Sequence, residues 1–302
     1  MRRAWKVLSV AILVGVIAGI GFLARPVSYF DGWMYVEEFF SGVESRSVQV
    51  DGYRIHYLAE GPANGRVVVL VHGLGGRAED WRNLAPYLSK AGFRVYMPDL
   101  LGYGRSARPK DYPYSVHDEA AVVVDYMDAM GLKQGDLGGW SMGGWIVQLV
   151  AAEHPGRVSR LILFDSAGLD VIPAWNTGLF TPANAVQLRE LNALLTPHPM
   201  PVPGFVARDI LRLSHRNRWI VERTMTKMFT AEDVTNKLLP ELKMPVLLVW
   251  GAEDRIVPID QAETMHKLMP QSQLDAVAGC GHIAPLECAD QIGPNLVAFL
   301  KQ

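Results

Sequence analysis

Residues 138–144 read Gly138-Gly139-Trp140-Ser141-Met142-Gly143-Gly144. Four glycines crowd around one serine. A glycine inside a strand or helix costs roughly 0.5–1 kcal/mol relative to alanine, so the chain needs a reason to place them there. The flanks supply it. Leu137–Trp140 reads as a short buried strand and Met142–His154 as an apolar helix, which makes Gly139–Gly143 a G-x-S-x-G turn between strand and helix. In so tight a turn, side chains at 139 and 143 would strike neighbouring backbone. Ser141 is then expected in a strained conformation with its Oγ pushed clear of the sheet. The helix that starts there offers unpaired N–H groups and the positive end of its dipole. A plain glycine turn is the alternative reading, and the strand and helix on either side argue against it.

Outward from this turn, strands and helices alternate. Val67–Val71 is a β-branched run of the kind buried on both faces of a sheet. Ser47–Val50 and Tyr53–Tyr57 form a hairpin about Asp51-Gly52, and Phe93–Met97, Leu161–Phe164, Val246–Trp250 and Gln273–Ala276 complete eight expected strands. Helices are expected over 78–91, 115–130, 261–269 and 285–300, with Ser115 and Asp118 at capping spacing. Repeated β-α-β units imply a mostly parallel sheet with helices on both faces. The rhythm breaks between Ala167 and Lys243, where helices over 184–195, 205–216 and 218–229 are expected and no strand is. This insertion reads as a helical cap. The expected division is a membrane anchor over 1–24, a juxtamembrane segment over 25–45, a core over 46–169 and 241–302, and the cap over 170–240.

A serine hydroxyl needs a base, and the base an orienting acid. His282 follows the last expected strand and Asp254 follows the strand before it, so both reach the edge where Ser141 sits. The chain order Ser141…Asp254…His282 suits this kind of elbow. Asp165 and Glu253 are the rival acids. His72 is the rival base, although its place in Val71-His-Gly-Leu-Gly-Gly76 fits a loop-holding role better. His56, His117, His154, His198, His215 and His266 have no motif around them, and Ser106 reads as a turn residue. The oxyanion of an acyl-transfer intermediate would meet the N–H groups of Met142 and Leu74. Neither a metal nor a cofactor is expected.

The chain has 302 residues, of which 49% are hydrophobic and 20% charged, with a net charge of −2. A large core is affordable, and no basic stripe points to nucleic acid. The two cysteines, Cys280 and Cys288, are too few for a disulfide scaffold or a cysteine zinc site. They read as free, small apolar residues, with a single bridge as the alternative. Val7–Ala24, VLSVAILVGVIAGIGFLA, carries no charge and follows Arg2, Arg3 and Lys6. It is close to the length that spans a bilayer, and the flanking charge keeps its N-terminus cytoplasmic. An uncleaved anchor with the remaining chain on the non-cytoplasmic side is the preferred reading. A cleaved signal peptide and a buried helix are the alternatives. The aromatic residues from Phe30 to Phe40 lie either at the membrane interface or against the domain.

Five stretches occur in order: VHGLGG (71–76), PDLLGYGRS (98–106), GWSMGG (139–144), WGAEDRIVP (250–258) and GCGHIAPLE (279–287). Together they resemble the α/β-hydrolase superfamily from residue 46 to the C-terminus. Adding the N-terminal anchor, FDSAGL (164–169) and the helical cap, the chain resembles membrane-anchored serine lipases and esterases, including monoacylglycerol lipases. The resemblance implies hydrolysis of carboxylic esters of lipids. Epoxide hydrolases and haloalkane dehalogenases of the fold use an aspartate where Ser141 stands. Carbon–carbon bond hydrolases share the Ser-Asp-His set but typically carry asparagine before the serine and tryptophan after the histidine, where this chain has Trp140 and Ile283. They are the alternative enzyme reading, and a non-catalytic ligand-binding relative is the alternative outside enzymes.

Overall fold

Side chains of the central strands alternate between two cores, as a pleated strand requires. Val69, Val71, Leu137, Leu161, Leu163 and Leu248 pack on one face of the sheet. Their chain neighbours Val68, Leu70, Ile162, Phe164, Leu247 and Val249 pack on the other. This double burial explains why these strands are continuous apolar runs rather than alternating ones.

The computed structural model describes residues 18–230 and 232–302. Its elements begin with α1 (Pro26–Ser41), β1 (Glu44–Val50), β2 (Tyr53–Glu60) and β3 (Arg66–Val71). They continue through α2 (Ala85–Lys90), β4 (Phe93–Pro98), α3 (Val116–Ala129), β5 (Gly135–Trp140), α4 (Met142–Glu153) and β6 (Val158–Phe164). Helices α5 (Ala185–Leu195) and α6 (Gly204–Met228) follow, and then β7 (Val246–Gly251), α7 (Ile259–Leu268), β8 (Ser272–Val277), α8 (Ala284–Glu287) and α9 (Ala289–Leu300). Among the described residues, eight strands form one sheet in the order β1-β2-β4-β3-β5-β6-β7-β8. β2 runs antiparallel to both β1 and β4, and every other pairing is parallel. The chain steps from β3 out to β4 and then returns to place β5 on the other side of β3. Such a reversal opens a crevice at the carboxyl ends of the two strands. The loop after β3 and the turn after β5, which carry the HGLGG and GWSMG stretches, meet at that crevice.

Several expectations are corrected. Residues 78–91 do not form one helix: a 3-10 turn over Ala78–Trp81 precedes α2, which starts at Ala85. The turn is held apart because the Ala78 N–H donates to Asp99 Oδ1 at 2.7 Å. The two helices expected over 205–216 and 218–229 are one continuous helix, α6, since no glycine or proline interrupts it. The last helix divides at Cys288 into α8 and α9. Cys280 and Cys288, read as free, are joined in a disulfide. Spacing in sequence could not reveal that the turn through α8 brings the two ends together.

The apolar run Val7–Ala24 lies, over residues 7–17, outside the described residues, and 18–24 are helical. Among the described residues no helix is long and apolar enough to cross a membrane. Helix α1 packs on the domain and also presents an apolar face outward. Met34 is buried, Arg77 pairs with Asp31 at 2.9 Å and Arg105 pairs with Glu38 at 3.1 Å. Phe39 and Phe40 are each 80% exposed and Trp33 is 58% exposed.

Candidate active site

The turn after β5 leaves little freedom. A Cβ on Gly139 would lie 2.1 Å from the Gly143 carbonyl oxygen, and one on Gly143 would lie 2.2 Å from the Val71 oxygen. Ser141 sits at φ 56°, ψ −117°, a conformation that a side-chain-bearing residue adopts only under strain. Its main chain is held on both sides: the N–H donates to Phe164 O at 2.9 Å, and its carbonyl accepts from Ala167 N at 3.1 Å. The hydroxyl therefore projects from a rigid mount at the head of α4.

His282 and Asp254 complete the arrangement. His282 Nε2 lies 3.0 Å from Ser141 Oγ, and Nδ1 lies 2.8 Å from Asp254 Oδ2. The carboxylate only accepts, so it places the imidazole proton on Nδ1 and leaves Nε2 free to receive the serine proton. Asp254 is itself fixed, because its Oδ1 accepts from the Ile256 and Val257 N–H groups at 2.7 and 3.0 Å. Both side chains are buried, His282 at 2% and Asp254 at 6% residual exposure. The His282 main chain is held by the Trp140 indole, whose Nε1–H donates to His282 O at 2.7 Å. The residue before the serine thus holds the backbone of the histidine.

The rivals fall elsewhere. Asp165 is fully buried beside Asp254 at the end of β6, with Oδ1 accepting from Gly251 N at 2.7 Å and Oδ2 unpartnered. Burial first, and then the Asp254 charge, push its carboxyl well above the usual range. Glu253 is exposed. His72 has both ring nitrogens engaged: Nε2 accepts from Leu100 N at 3.1 Å, so Nδ1–H donates to Gly73 O at 2.8 Å. That second bond fixes the peptide joining Gly73 to Leu74, whose N–H is one of the expected oxyanion donors. The Gly73 backbone lies against the nucleophile, since a Cβ there would be 3.2 Å from Ser141 Cβ. Leu74 and Ser141 line the same cavity, and Met142 opens α4 as its first residue.

A second Ser–His–Asp array has no signature in the sequence. His56 Nε2 lies 3.0 Å from Ser45 Oγ, and Nδ1 lies 2.7 Å from Asp99 Oδ2. Asp99 also accepts from the Ala78 and Arg105 N–H groups at 2.7 and 2.8 Å, so this array ties the β3–α2 and β4–α3 loops to strands β1 and β2. The pairing depends on the β1–β2 register, and no motif signals it.

The cavity above Ser141 has a volume of about 620 Å³. Its walls come from the β6–β7 excursion and from α6, including Trp175, Phe180, Met225, Met228 and Phe229. Among the described residues lining it, Asp170 is the one that carries charge, and none is a lysine, arginine or histidine. Among the described residues, no cluster of His, Cys, Asp or Glu could hold a metal ion.

Comparison with known proteins agrees with this fold. Residues 66–189 and 223–288 match the family described as alpha/beta hydrolase fold. Lipase 1 of Psychrobacter immobilis is 28% identical over 86% of this chain and 84% of its own length. The 2-hydroxymuconate semialdehyde hydrolase of Pseudomonas putida is 29% identical over 85% of this chain and 94% of its own. The crystal structure of a membrane phospholipase A, a bacterial virulence factor, superposes with a TM-score of 0.84 at 27% identity, covering 100% of this chain and 98% of that one.

Proposed function

The chain belongs to the alpha/beta hydrolase fold family, and from that premise we propose that it hydrolyses carboxylic esters of apolar acyl groups through Ser141, His282 and Asp254. The observation that carries the reading is the unbroken chain of hydrogen bonds from Ser141 Oγ through His282 to Asp254, opening onto an apolar cavity.

The steps follow from the donors and acceptors. Ser141 Oγ attacks the ester carbonyl while its proton passes to His282 Nε2. Asp254, accepting from Nδ1–H, stabilises the imidazolium that forms. The oxyanion is met by the N–H groups of Leu74 and Met142, each of which is expected to contribute on the order of 3–4 kcal/mol to lowering the barrier. Collapse breaks the bond to the alcohol, which leaves with the proton from Nε2. Water then attacks the acyl-serine, giving its proton to Nε2, and the second collapse returns that proton to Ser141 and releases the acid.

Carbon–carbon bond hydrolysis is the second reading, favoured by the likeness to the Pseudomonas putida hydrolase. That enzyme's named substrate is a carboxylate. A buried carboxylate needs a cation or a set of donors, and the cavity lining offers no cation among the described residues. This favours a neutral acyl chain. The cap reading of 170–240 and the methionines at 225 and 228 suit a flexible chain of that kind. A panel of 4-nitrophenyl esters of graded acyl length, beside a ring-cleavage dienoate, separates the two. Turnover rising with acyl length supports ester hydrolysis, and turnover of the dienoate alone contradicts it.

We further propose that residues 1–24 anchor the protein and that its domain faces an oxidising, non-cytoplasmic compartment. The likeness to a membrane phospholipase A, the charge-flanked apolar run and the buried disulfide support that placement.

A further inference from the structure

The glycines around Cys280 give the loop that carries His282 little stiffness of its own, and the Trp140 indole holds it at the His282 carbonyl. Residues 278–283 read AGCGHI, with a glycine on each side of Cys280. Gly279 sits at φ +75°, and a Cβ on Gly281 would lie 2.7 Å from Leu195 O and 2.8 Å from Pro197 Cδ. Neither position can be stiffened by a side chain, and glycine leaves the backbone the most freedom to lose. A catalytic imidazole, by contrast, must be held to within about 0.5 Å.

The disulfide answers that need. It joins Cys280, two residues before His282, to Cys288 at the head of α9. That helix is anchored in the core through Ile292, Leu296 and Phe299. The bridge spans a sequence separation of 8, and its two ends straddle His282. A bridge restrains the unfolded chain more when it closes a long loop, so a short one around the base is poorly placed for global stability. It is well placed to hang the His282 loop from a rigid helix. Cys280 and Cys288 are both buried, so the bridge is an internal strut.

We propose that the Cys280–Cys288 disulfide is a positioning element for His282, so that the hydrolase is fully assembled only in the oxidised chain. The inference rests on the reading of His282 as general base. Forming the bridge takes two electrons and two protons from the two thiols, delivered to a disulfide donor by exchange. A dithiol reverses it, returning both thiols and itself becoming a cyclic disulfide.

The test compares wild type with the Cys280→Ala/Cys288→Ala double variant on a soluble 4-nitrophenyl ester, well below both melting temperatures. kcat and the rate of fluorophosphonate labelling are expected to fall roughly tenfold to a hundredfold, with KM nearly unchanged, as for a misplaced catalytic group. A lowered melting temperature with wild-type kcat and labelling rate overturns the proposal, because it makes the bridge a staple only. Should the variant not fold, wild type is treated with dithiothreitol until two thiols titrate while its far-UV circular dichroism is unchanged. Activity should fall with the thiols released and return on reoxidation, and undiminished activity overturns the proposal. Wild-type protein without esterase activity or labelling would instead sink the triad reading on which this rests.

Discussion

Asp254 Oδ2 lies 2.8 Å from His282 Nδ1, while Asp165, equally deep in the same sheet edge, turns its one bonded oxygen to the Gly251 N–H. The two carboxyls therefore have different work. Asp254→Asn keeps the shape but cannot hold the required tautomer, and kcat should fall by on the order of 10³–10⁴. Asp165→Asn should cost less than about tenfold. Burial already favours the neutral acid at that position, and an amide oxygen can accept the same Gly251 bond. Steady-state kinetics on a soluble ester decides, and a larger loss at Asp165 refutes the assignment.

Glu119, on α3, gives a prediction about pH. Its carboxyl is fully buried, and burial pushes its pKa well above the ordinary value of 4.5. Below that value the group is protonated in both folded and unfolded chains. Above it the unfolded chain releases the proton while the folded chain retains it, so stability is lost as pH rises through this window. Glu119→Gln keeps the volume and removes the ionisation. Its stability should exceed that of wild type increasingly above pH ~4.5, by at most about 1.4 kcal/mol per pH unit. Urea unfolding between acidic and neutral pH measures it, and parallel stability curves for the two proteins would contradict it.

Removing residues 1–17 tests the anchor without touching the Phe22–Phe205 contact, whose rings lie 5.8 Å apart. Turnover of a water-soluble ester should be unchanged, because the triad and its cavity lie outside the deleted segment. Hydrolysis of acyl lipid in vesicles should fall roughly tenfold or more, as the local concentration given by tethering is lost. Equal loss on both substrates would show that the segment supports the fold instead.

The grouping of Ser141, Asp254 and His282 was legible because each follows a strand of the parallel part of the sheet, which delivers all such ends to one edge. Gly139 and Gly143 were legible because a close approach of backbone leaves a glycine signature. What was hidden depends on contacts between distant segments. The Cys280–Cys288 bridge arises from a turn through Ala284–Glu287 that spacing alone does not specify. Two helices were expected over 205–216 and 218–229, yet packing of Ile220, Val221 and Met225 carries α6 straight through. His56 looked ordinary because its partners, Ser45 and Asp99, come from another strand and from the loop after β4.

The central claim is that Ser141, activated by His282, is the nucleophile. The direct measurement is labelling of the purified full-length protein by a fluorophosphonate probe, with the modified residue located by peptide mass spectrometry, in wild type and in Ser141→Ala. The account predicts one adduct at Ser141 in wild type and none in the variant. Equal labelling of both, or an unlabelled wild type, would contradict it.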